Sequence, residues 1–375
     1  MCDALMAGLE AKYNAASPHG PWFLGEHLSA ADIALLPFLD RMAPALHAVR
    51  ELPWSAWMTI QTGCDNTCAY CIVPSVRGGE ISRPLEDLYA EARLLAESGV
   101  TELTVLGQNV NSYGRDIALS ARQAGDDVRV SPRFAELLRR VGSVDGIRRV
   151  RYTSPHPKDM REDVLRAMAE TPSVCEHLHY PLQAGSDRVL ALMHRGYTAD
   201  RYLERLAEAR RLMPDLAVTT DIIVGFPGET EDDFVRTLEV AAEADFDSTY
   251  TFIFSPREGT EAATMVDRFV DPAVVADRFE RLRTVVERTA LLKHEARVGR
   301  TEEIVVEGPS RRLPDITTGR TRQNKLVHFR TDRPLRPGTY ANVEIVRAAP
   351  HFLHGELREI LVEATHKIRI PVASA

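Results

Sequence analysis

The sequence predicts an α/β protein whose main part is a partial barrel of six βα units, with a short helical segment before it and a small β-barrel after it. Between residues 57 and 297, six short β-rich runs alternate with amphipathic helical stretches, and parallel strands need such crossover helices. Beyond residue 299 the helical period gives way to short β-like runs between Gly and Pro turns. An open, doubly wound sheet is the alternative to the partial barrel. Either arrangement places a site at the C-terminal strand ends.

Residues 1–50 form the predicted helical segment. Ser29 and Asp32 have the spacing of a capping box, so a helix is expected to begin at Ala30, with Leu28 packed on Ile33. The stretch resembles the C-terminal helical part of glutathione transferases. It is interpreted as structural, because a fold fragment without the glutathione-binding half carries no function of its own.

Residues 55–297 form the predicted main domain. A helix is expected to begin near Pro84 and to stop at Gly99, and another to begin at the Thr230–Asp233 capping box. The polar stretch 115–131 is interpreted as a surface loop. The expected strands are 57–61, 102–106, 148–153, 177–182, 218–224 and 248–254.

Residues 299–364 form the predicted C-terminal β-barrel, with strands at 303–307, 326–329 and 340–346. Residues 293–347 hold twelve Lys or Arg against seven Asp or Glu, whereas the whole chain has a net charge of −8. This local excess predicts RNA binding through phosphate contacts. The candidate contacts are Arg320, Arg322, Lys325, Arg330 and Arg333.

Length and composition exclude several classes of protein. With 375 residues, of which 44% are hydrophobic and 27% charged, the chain fits two or three globular domains. It has no apolar run long enough to span a membrane, and its N-terminus does not resemble a secretion signal. A cytoplasmic protein without membrane association is therefore expected. An odd number of cysteines, three of them within eight residues, favours a metal over a disulfide framework.

Cys64, Cys68 and Cys71 follow the first predicted strand with C-x3-C-x2-C spacing. Three thiolates can hold three irons of a 4Fe-4S cluster and leave the fourth iron open to another ligand. A zinc site is the alternative, but zinc needs four closed ligands and no fourth ligand lies nearby in sequence. Cys175 is a distant candidate for that ligand and is more simply interpreted as a buried free thiol.

The same spacing is typical of radical S-adenosylmethionine (SAM) enzymes, and the chain resembles their methylthiotransferase branch from residue 57 to residue 357. The resemblance extends to the C-terminal barrel, which is similar to the TRAM-like RNA-binding module of that branch. The stretch Gly107–Gly114 is similar to the enzymes that act on prenylated adenosine beside the anticodon of tRNA. The other matching stretches, in family order, are Arg77–Glu80, Thr153–Pro157, Pro181–Asp187 and Gly225–Glu229.

The resemblance implies that SAM chelates the open iron of one 4Fe-4S cluster, and that an electron from the cluster releases a deoxyadenosyl radical. Tyr70 is expected to lie against the adenine, and Arg195 to pair with the methionine carboxylate, although an exposed helix charge is an equal interpretation of Arg195. Asp221 lies inside an apolar strand, where a ribose hydroxyl or a cation would be its partner. The further cofactor-binding candidates are Gln108, Asn109, Gln183 and Ser186.

Members of this branch also carry an N-terminal domain with three cysteines for a second cluster, which donates sulfur. Upstream of Cys64 the chain has only Cys2, so impaired methylthiolation is expected. Two alternatives remain: the same chemistry on threonylcarbamoyl adenosine or a ribosomal protein, and a non-enzymatic RNA-binding protein with a structural metal. The expected partners are tRNA and an electron donor such as flavodoxin, and the expected state is a monomer.

Overall fold

The computed structural model describes residues 48–310 and 312–364. Residues 1–47 of the predicted helical segment, with the Ser29–Asp32 capping box and Cys2, therefore lie outside the described residues. Residues 48–50 begin a strand, which differs from the helical prediction made for them. No helix within the described ranges is long and apolar enough to cross a membrane.

Six parallel strands form the main domain, and each coincides with a predicted one. They are β2 (Ser55–Thr59), β5 (Glu102–Leu106), β6 (Arg149–Tyr152), β7 (His177–His179), β8 (Ala217–Val224) and β9 (Ser248–Ile253). Strand β1 (Ala48–Leu52) pairs antiparallel with β2, and β3 (Gln61–Thr62) pairs with β4 (Ile81–Ser82). An isolated bridge between Val150 of β6 and Val174, just before β7, links the two groups of parallel strands, and a bridge between Gln183 and Ile222 lengthens the pairing of β7 with β8. The partial barrel is confirmed.

Helices cover the outside of these strands. The helix at Pro84 is confirmed as Leu85–Glu97, whose Leu85, Leu88 and Ala92 are buried, and the capping box of Thr230 with Asp233 opens Glu231–Ala244. In chain order the α-helices are α1 (Val73–Arg77), α2 (Leu85–Glu97), α3 (Arg115–Gln123), α4 (Phe134–Gly142), α5 (Glu162–Glu170), α6 (Asp187–Leu192), α7 (Ala199–Leu212), α8 (Glu231–Ala244), α9 (Glu261–Thr264) and α10 (Pro272–Glu295). Short 3-10 turns lie at Val110–Ser112, Pro157–Asp159 and Val266–Arg268.

The loop prediction for 115–131 is wrong over α3. This helix is mostly polar and buries none of its residues, so its sequence resembles that of a surface loop. Gly114, with φ 81°, lets the chain turn into it.

The C-terminal domain is a closed five-stranded barrel with strand order β10–β11–β12–β14–β13. Its strands are β10 (Thr301–Pro309), β11 (Thr317–Thr321), β12 (Leu326–Arg330), β13 (Tyr340–Ala348) and β14 (Leu353–Val362). The three predicted strands are present, and β11 and β14 were not predicted. Ile304, Val343 and Ile345 pack inside the barrel.

This barrel docks at the N-terminal ends of the parallel strands. The fully buried Arg149, at the start of β6, donates hydrogen bonds to the carbonyl oxygens of Arg320 and Glu303 at 2.8 and 3.1 Å. Arg151 donates to the carbonyl oxygens of Thr321 and Arg322 at 2.9 and 2.8 Å. The docked barrel leaves the opposite, C-terminal strand ends free to form a site.

Candidate active site at the carboxyl ends of the strands

A cavity of about 220 Å³ lies at the C-terminal ends of the parallel strands. It brings together all three clustered cysteines and five of the seven predicted cofactor-binding residues. Its lining is Cys64, Asn66, Cys68, Tyr70, Cys71, Val73, Gln108, Ser154, Pro155, His156, His179, Pro181, Gln183, Arg195 and Asp221.

The cysteine loop is shaped by a glycine contact. Gly63 has φ +79°, and a Cβ added to it would lie 2.0 Å from the carbonyl oxygen of Gly79. Only glycine lets the two segments approach this closely. The Cys64 N–H then donates to the carbonyl oxygen of Gly78 at 3.1 Å, which fixes the first cysteine beside the second segment.

The thiols are half-buried and have nitrogen donors near them. Burial raises the pKa of Cys64 and Cys71, while the hydrogen bond from Asn66 opposes the rise at Cys64. The Asn66 side chain lies 3.5 Å from the Cys64 sulfur, and Arg195 Nη1 lies 3.4 Å from the Cys68 sulfur. Bound iron or a nearby cation would favour the thiolate forms that such sites require.

The donor set fits a cluster better than a single ion. Within residues 48–310 and 312–364, no group of three or more His, Cys, Asp or Glu side chains is arranged to hold one metal ion. Cubane ligands each bind a different iron and do not need to meet at one point. Cys175 is buried, lies outside the cavity lining and is free, as predicted for it.

Arg195 is a buried residue of the cavity wall. It is 6% exposed, which does not fit an exposed helix charge. Its Nε donates to the Tyr197 hydroxyl at 3.2 Å, and that hydroxyl donates to the carbonyl oxygen of Leu182. Tyr70 lies edge-on to Phe226 with ring centroids 6.3 Å apart. The guanidinium is thus fixed between the cysteine loop and the end of β7.

Two buried amide oxygens in the cavity wall have no hydrogen-bond partner, those of Gln108 and Gln183. His156 accepts a hydrogen bond at Nδ1 from the backbone of Lys158 at 3.1 Å, so its neutral ring carries the proton on Nε2, which is also unpartnered. Burial, with a contribution from Arg195, lowers the pKa of His156 to about 2. The cavity therefore offers two acceptors and one donor to a bound molecule.

Asp221 has a partner that the sequence did not reveal. Its carboxylate lies 3.4 Å from Nε2 of His179, whose Nδ1 lies 3.0 Å from the Thr219 hydroxyl. His179 and His156 were not singled out from the sequence, because an isolated histidine has no spacing signal. Their only sequence signal is the place of each at the end of a strand.

Two predicted residues lie outside the cavity lining. Asn109 is buried beside it, and its amide donates to Asp159 at 2.9 Å. Ser186 caps α6 by accepting from the N–H of Val189, and it donates to Asp233 at 2.5 Å. The side-chain oxygen of Asn109 has no hydrogen-bond partner. A cofactor contact by Asn109 or Ser186 stays a prediction.

Of the five residues predicted to contact RNA, two face the main domain and three are open to a ligand. Arg322 pairs with Glu176 at 2.7 Å, and Lys325, 5% exposed, pairs with Asp247 at 2.6 Å, so both face the main domain. Arg330 is exposed and has no ion-pair partner among the described residues. The other two are exposed enough to reach a ligand but are paired, Arg320 with Glu307 and Arg333 with Glu363.

Three sequence profiles match the chain. The radical SAM superfamily matches residues 58–241, and the TRAM domain matches residues 295–357. The C-terminal domain of glutathione S-transferase matches residues 2–66, which agrees with the resemblance noted in the N-terminal segment. Within that last range, β2 already pairs with β5 of the main domain.

Curated relatives match most of this chain. A tRNA-2-methylthio-N(6)-dimethylallyladenosine synthase from Acidothermus cellulolyticus is 49% identical over 86% of the chain, and synthase 1 of that name from Mycobacterium marinum is 47% identical over 87%. The chain spans 63% of the length of each of these relatives. A solved structure, the radical SAM enzyme coproporphyrinogen III oxidase from Escherichia coli, aligns with 78% of this chain and 70% of its own, at 14% identity and a TM-score of 0.42, too low to support an inference.

Proposed function

We propose that this chain is the catalytic and RNA-binding part of a tRNA methylthiotransferase, because its residues 58–241 match the radical SAM superfamily and its residues 295–357 match the TRAM domain. The target would be prenylated adenosine next to the anticodon. The observation that carries the proposal is the single cavity shared by Cys64, Cys68, Cys71 and Arg195.

The cavity residues have distinct roles in this proposal. The three cysteines would hold a 4Fe-4S cluster, which when bound supplies the electron that splits the sulfonium of SAM. Gln108 and Gln183 would accept hydrogen bonds from the methionine amine, since their oxygens have no other partner. Arg195 and the Nε2–H of His156 would donate to its carboxylate. Asp221, oriented by His179, would accept from the ribose hydroxyls.

RNA binding is supported by the exposed cations of the C-terminal barrel. Arg330, Arg333 and Arg320 can reach phosphates, whereas Arg322 and Lys325 serve to dock the barrel. Monomeric action with electrons from a donor such as flavodoxin follows from the family resemblance and is part of the same proposal.

The alternative substrates, threonylcarbamoyl adenosine and a ribosomal protein, find no support in the names of the relatives. A non-enzymatic RNA-binding protein with a structural metal is disfavoured because no fourth ligand accompanies the three cysteines in the part of the chain that the structure describes. In such a protein the buried side-chain oxygens of Gln108 and Gln183 would also have no ligand from which to accept hydrogen bonds.

The test is anaerobic reconstitution of the full chain with iron and sulfide, followed by incubation with SAM and a reductant. We expect a coloured protein that forms deoxyadenosine. Mass spectrometry of nucleosides from a strain lacking the gene should show prenylated adenosine without its methylthio group. A colourless zinc protein, or a strain that keeps this modification, would contradict the proposal.

A further inference from the structure

The open side of the partial barrel carries two aromatic side chains that face inward and are nevertheless exposed. Tyr250 and Phe252 lie on β9, where they pair in register with Asp221 and Ile223 of β8. They are 54% and 51% exposed. The inside of such a barrel is usually filled by packed side chains. Among the described strands, none pairs with the free edge of β9.

Tyr250 lies between two cavities. Its ring is 6.0 Å from the ring of His179 at 68°, and His179 and Asp221 both line the cavity that holds the cysteines. Tyr250 also lines a second cavity of about 230 Å³ between the main domain and the C-terminal barrel. A ligand on Tyr250 would therefore extend from one cavity toward the other.

The interdomain cavity has the chemistry of an RNA-backbone site. The C-terminal barrel contributes Arg320, Asn324 and Lys325 to it, and the exposed His351 lies at its wall. Asp247 is the single carboxylate among its described lining residues and is paired with Lys325. Arg320 is the other cation of the lining: its Nε pairs with Glu307 at 2.8 Å and its Nη1 donates to the carbonyl oxygen of Asn324 at 3.1 Å, which leaves Nη2 to donate to a phosphate.

We propose that the purine base of the RNA nucleotide to be modified stacks on Tyr250, and that a neighbouring phosphate lies in the interdomain cavity. An enzyme that reacts with a base takes it out of the stack of its neighbours, and an aromatic ring can replace that stacking for any base. The polar side chains of His179 and Asp221 beside the ring suit a base with polar edges better than an apolar partner. This inference rests on the proposed function, because it needs RNA to react in the cysteine cavity.

The test uses the full reconstituted chain and an RNA hairpin with the fluorescent purine 2-aminopurine at the target position. Fluorescence anisotropy gives the affinity, and quenching of 2-aminopurine reports stacking. We expect Tyr250→Leu to bind roughly 5- to 100-fold more weakly and to lose the quenching, and Tyr250→Phe to keep both. Tyr89→Leu is the matched control, because the Tyr89 ring lies on α2, outside the barrel, under the guanidinium of Arg140 at 3.7 Å. It should behave as the unsubstituted chain.

Iron content after reconstitution shows that each variant is folded. If Tyr250→Leu kept the affinity and quenching of the unsubstituted chain, the inference would be wrong. Tyr250 and Phe252 would then be better explained as a surface that contacts another protein. Equal losses in Tyr250→Phe and Tyr250→Leu would also overturn the inference, because the hydroxyl rather than the ring would then be needed. If the unsubstituted chain formed deoxyadenosine but bound no hairpin, the proposed substrate would fall as well. If it formed no deoxyadenosine while the Tyr250 pattern held, only the proposed chemistry would fall.

Discussion

Arg195 places Nη1 3.4 Å from the sulfur of Cys68, inside the protein and on the wall of the cavity shared by all three clustered cysteines. Burying an unpaired charge is costly, and Arg195 has no carboxylate partner among the described residues. A cysteine sulfur that binds iron would therefore be a suitable partner for the guanidinium.

The first prediction follows from this contact. Replacing Arg195 with Gln removes a positive charge beside the cluster, so the reduced cluster becomes less stable. The reduction potential should fall by on the order of tens of millivolts. A redox titration followed by electron paramagnetic resonance measures the shift. Arg201→Gln, on the exposed surface of α7, should leave the potential unchanged. An unchanged potential in the Arg195 variant would show that the charge does not act on the cluster.

The second prediction concerns the thiols themselves. Single replacement of Cys64, Cys68 or Cys71 with Ala should remove cluster binding and SAM cleavage, since each thiolate holds one iron. Cys175→Ala should keep its iron, because this buried thiol lies outside the cavity lining. Iron analysis and chromatography of deoxyadenosine give both readouts. Full activity in any of the first three variants would contradict the site.

The third prediction is a pH dependence of stability. The pKa of His156 is lowered from 6.5 to about 2 in the folded protein, first by burial. Below pH 6.5 the unfolded chain therefore binds a proton that the folded chain does not. The free energy of unfolding falls as the pH drops through this range.

Between pH 7 and pH 5 the free energy of unfolding should fall by about 2 kcal/mol less in His156→Gln than in the unsubstituted chain. Urea unfolding at the two pH values measures it. His351→Gln, at an exposed histidine, is the control and should leave the difference unchanged. The same loss in wild type and His156→Gln would show that His156 is protonated in the folded protein.

The fourth prediction separates RNA contacts from docking contacts. Arg330→Gln should weaken tRNA binding several-fold and reduce the slope of log affinity against log salt by about 0.9, without loss of stability. Arg322→Gln should instead lower stability by about 1–3 kcal/mol, because it breaks the contacts with Glu176 and the carbonyl oxygens of Pro172 and Val174. Filter binding at several salt concentrations and thermal unfolding measure the two effects. If Arg330→Gln lowered stability and Arg322→Gln weakened tRNA binding, Arg330 would be the docking contact and Arg322 the RNA contact.

The fifth prediction concerns cluster number. The 375-residue chain has five cysteines and one group of three, so after reconstitution it should hold about four irons and not eight. It should form deoxyadenosine but add no methylthio group to prenylated tRNA, because no activated sulfur lies within reach of the base. Iron analysis and mass spectrometry of digested tRNA test this.

A control for this prediction replaces residues 1 to about 50 with the N-terminal domain of a relative, which should restore methylthiolation. Methylthiolated adenosine made by the unmodified chain would show that one cluster is enough.

The strands and the cysteine site were predictable because their signals are local. Each parallel strand is a short apolar run between helical stretches, and the cysteine spacing needs no tertiary information. Helix α3 escaped prediction because all of its residues face solvent or lie half-buried. Strand β14 escaped because charged residues such as Glu356 and Arg358 interrupt its apolar positions.

Side-chain direction was harder to predict than position. Gln108 lines the cavity while its neighbour Asn109 turns to Asp159, since adjacent residues at the end of a strand point in different directions. The sequence showed the excess of cations in the C-terminal barrel, but it did not show which of these cations face the main domain. That division depends on how the two domains dock, and the partners Glu176 and Asp247 are distant in sequence.

The buried contacts of Arg149 and Arg151 have a geometric consequence for the choice of nucleotide. Because they fix the C-terminal barrel to the strand ends, the spacing between an RNA held by Arg330 and the cysteine cavity is constant. If the chain acts on tRNA as proposed, a nucleotide would react only when its distance along the folded RNA from the part bound by Arg330 equals this fixed spacing. Arg149→Met, which loosens the docking, should therefore broaden the positions modified before it slows the chemistry.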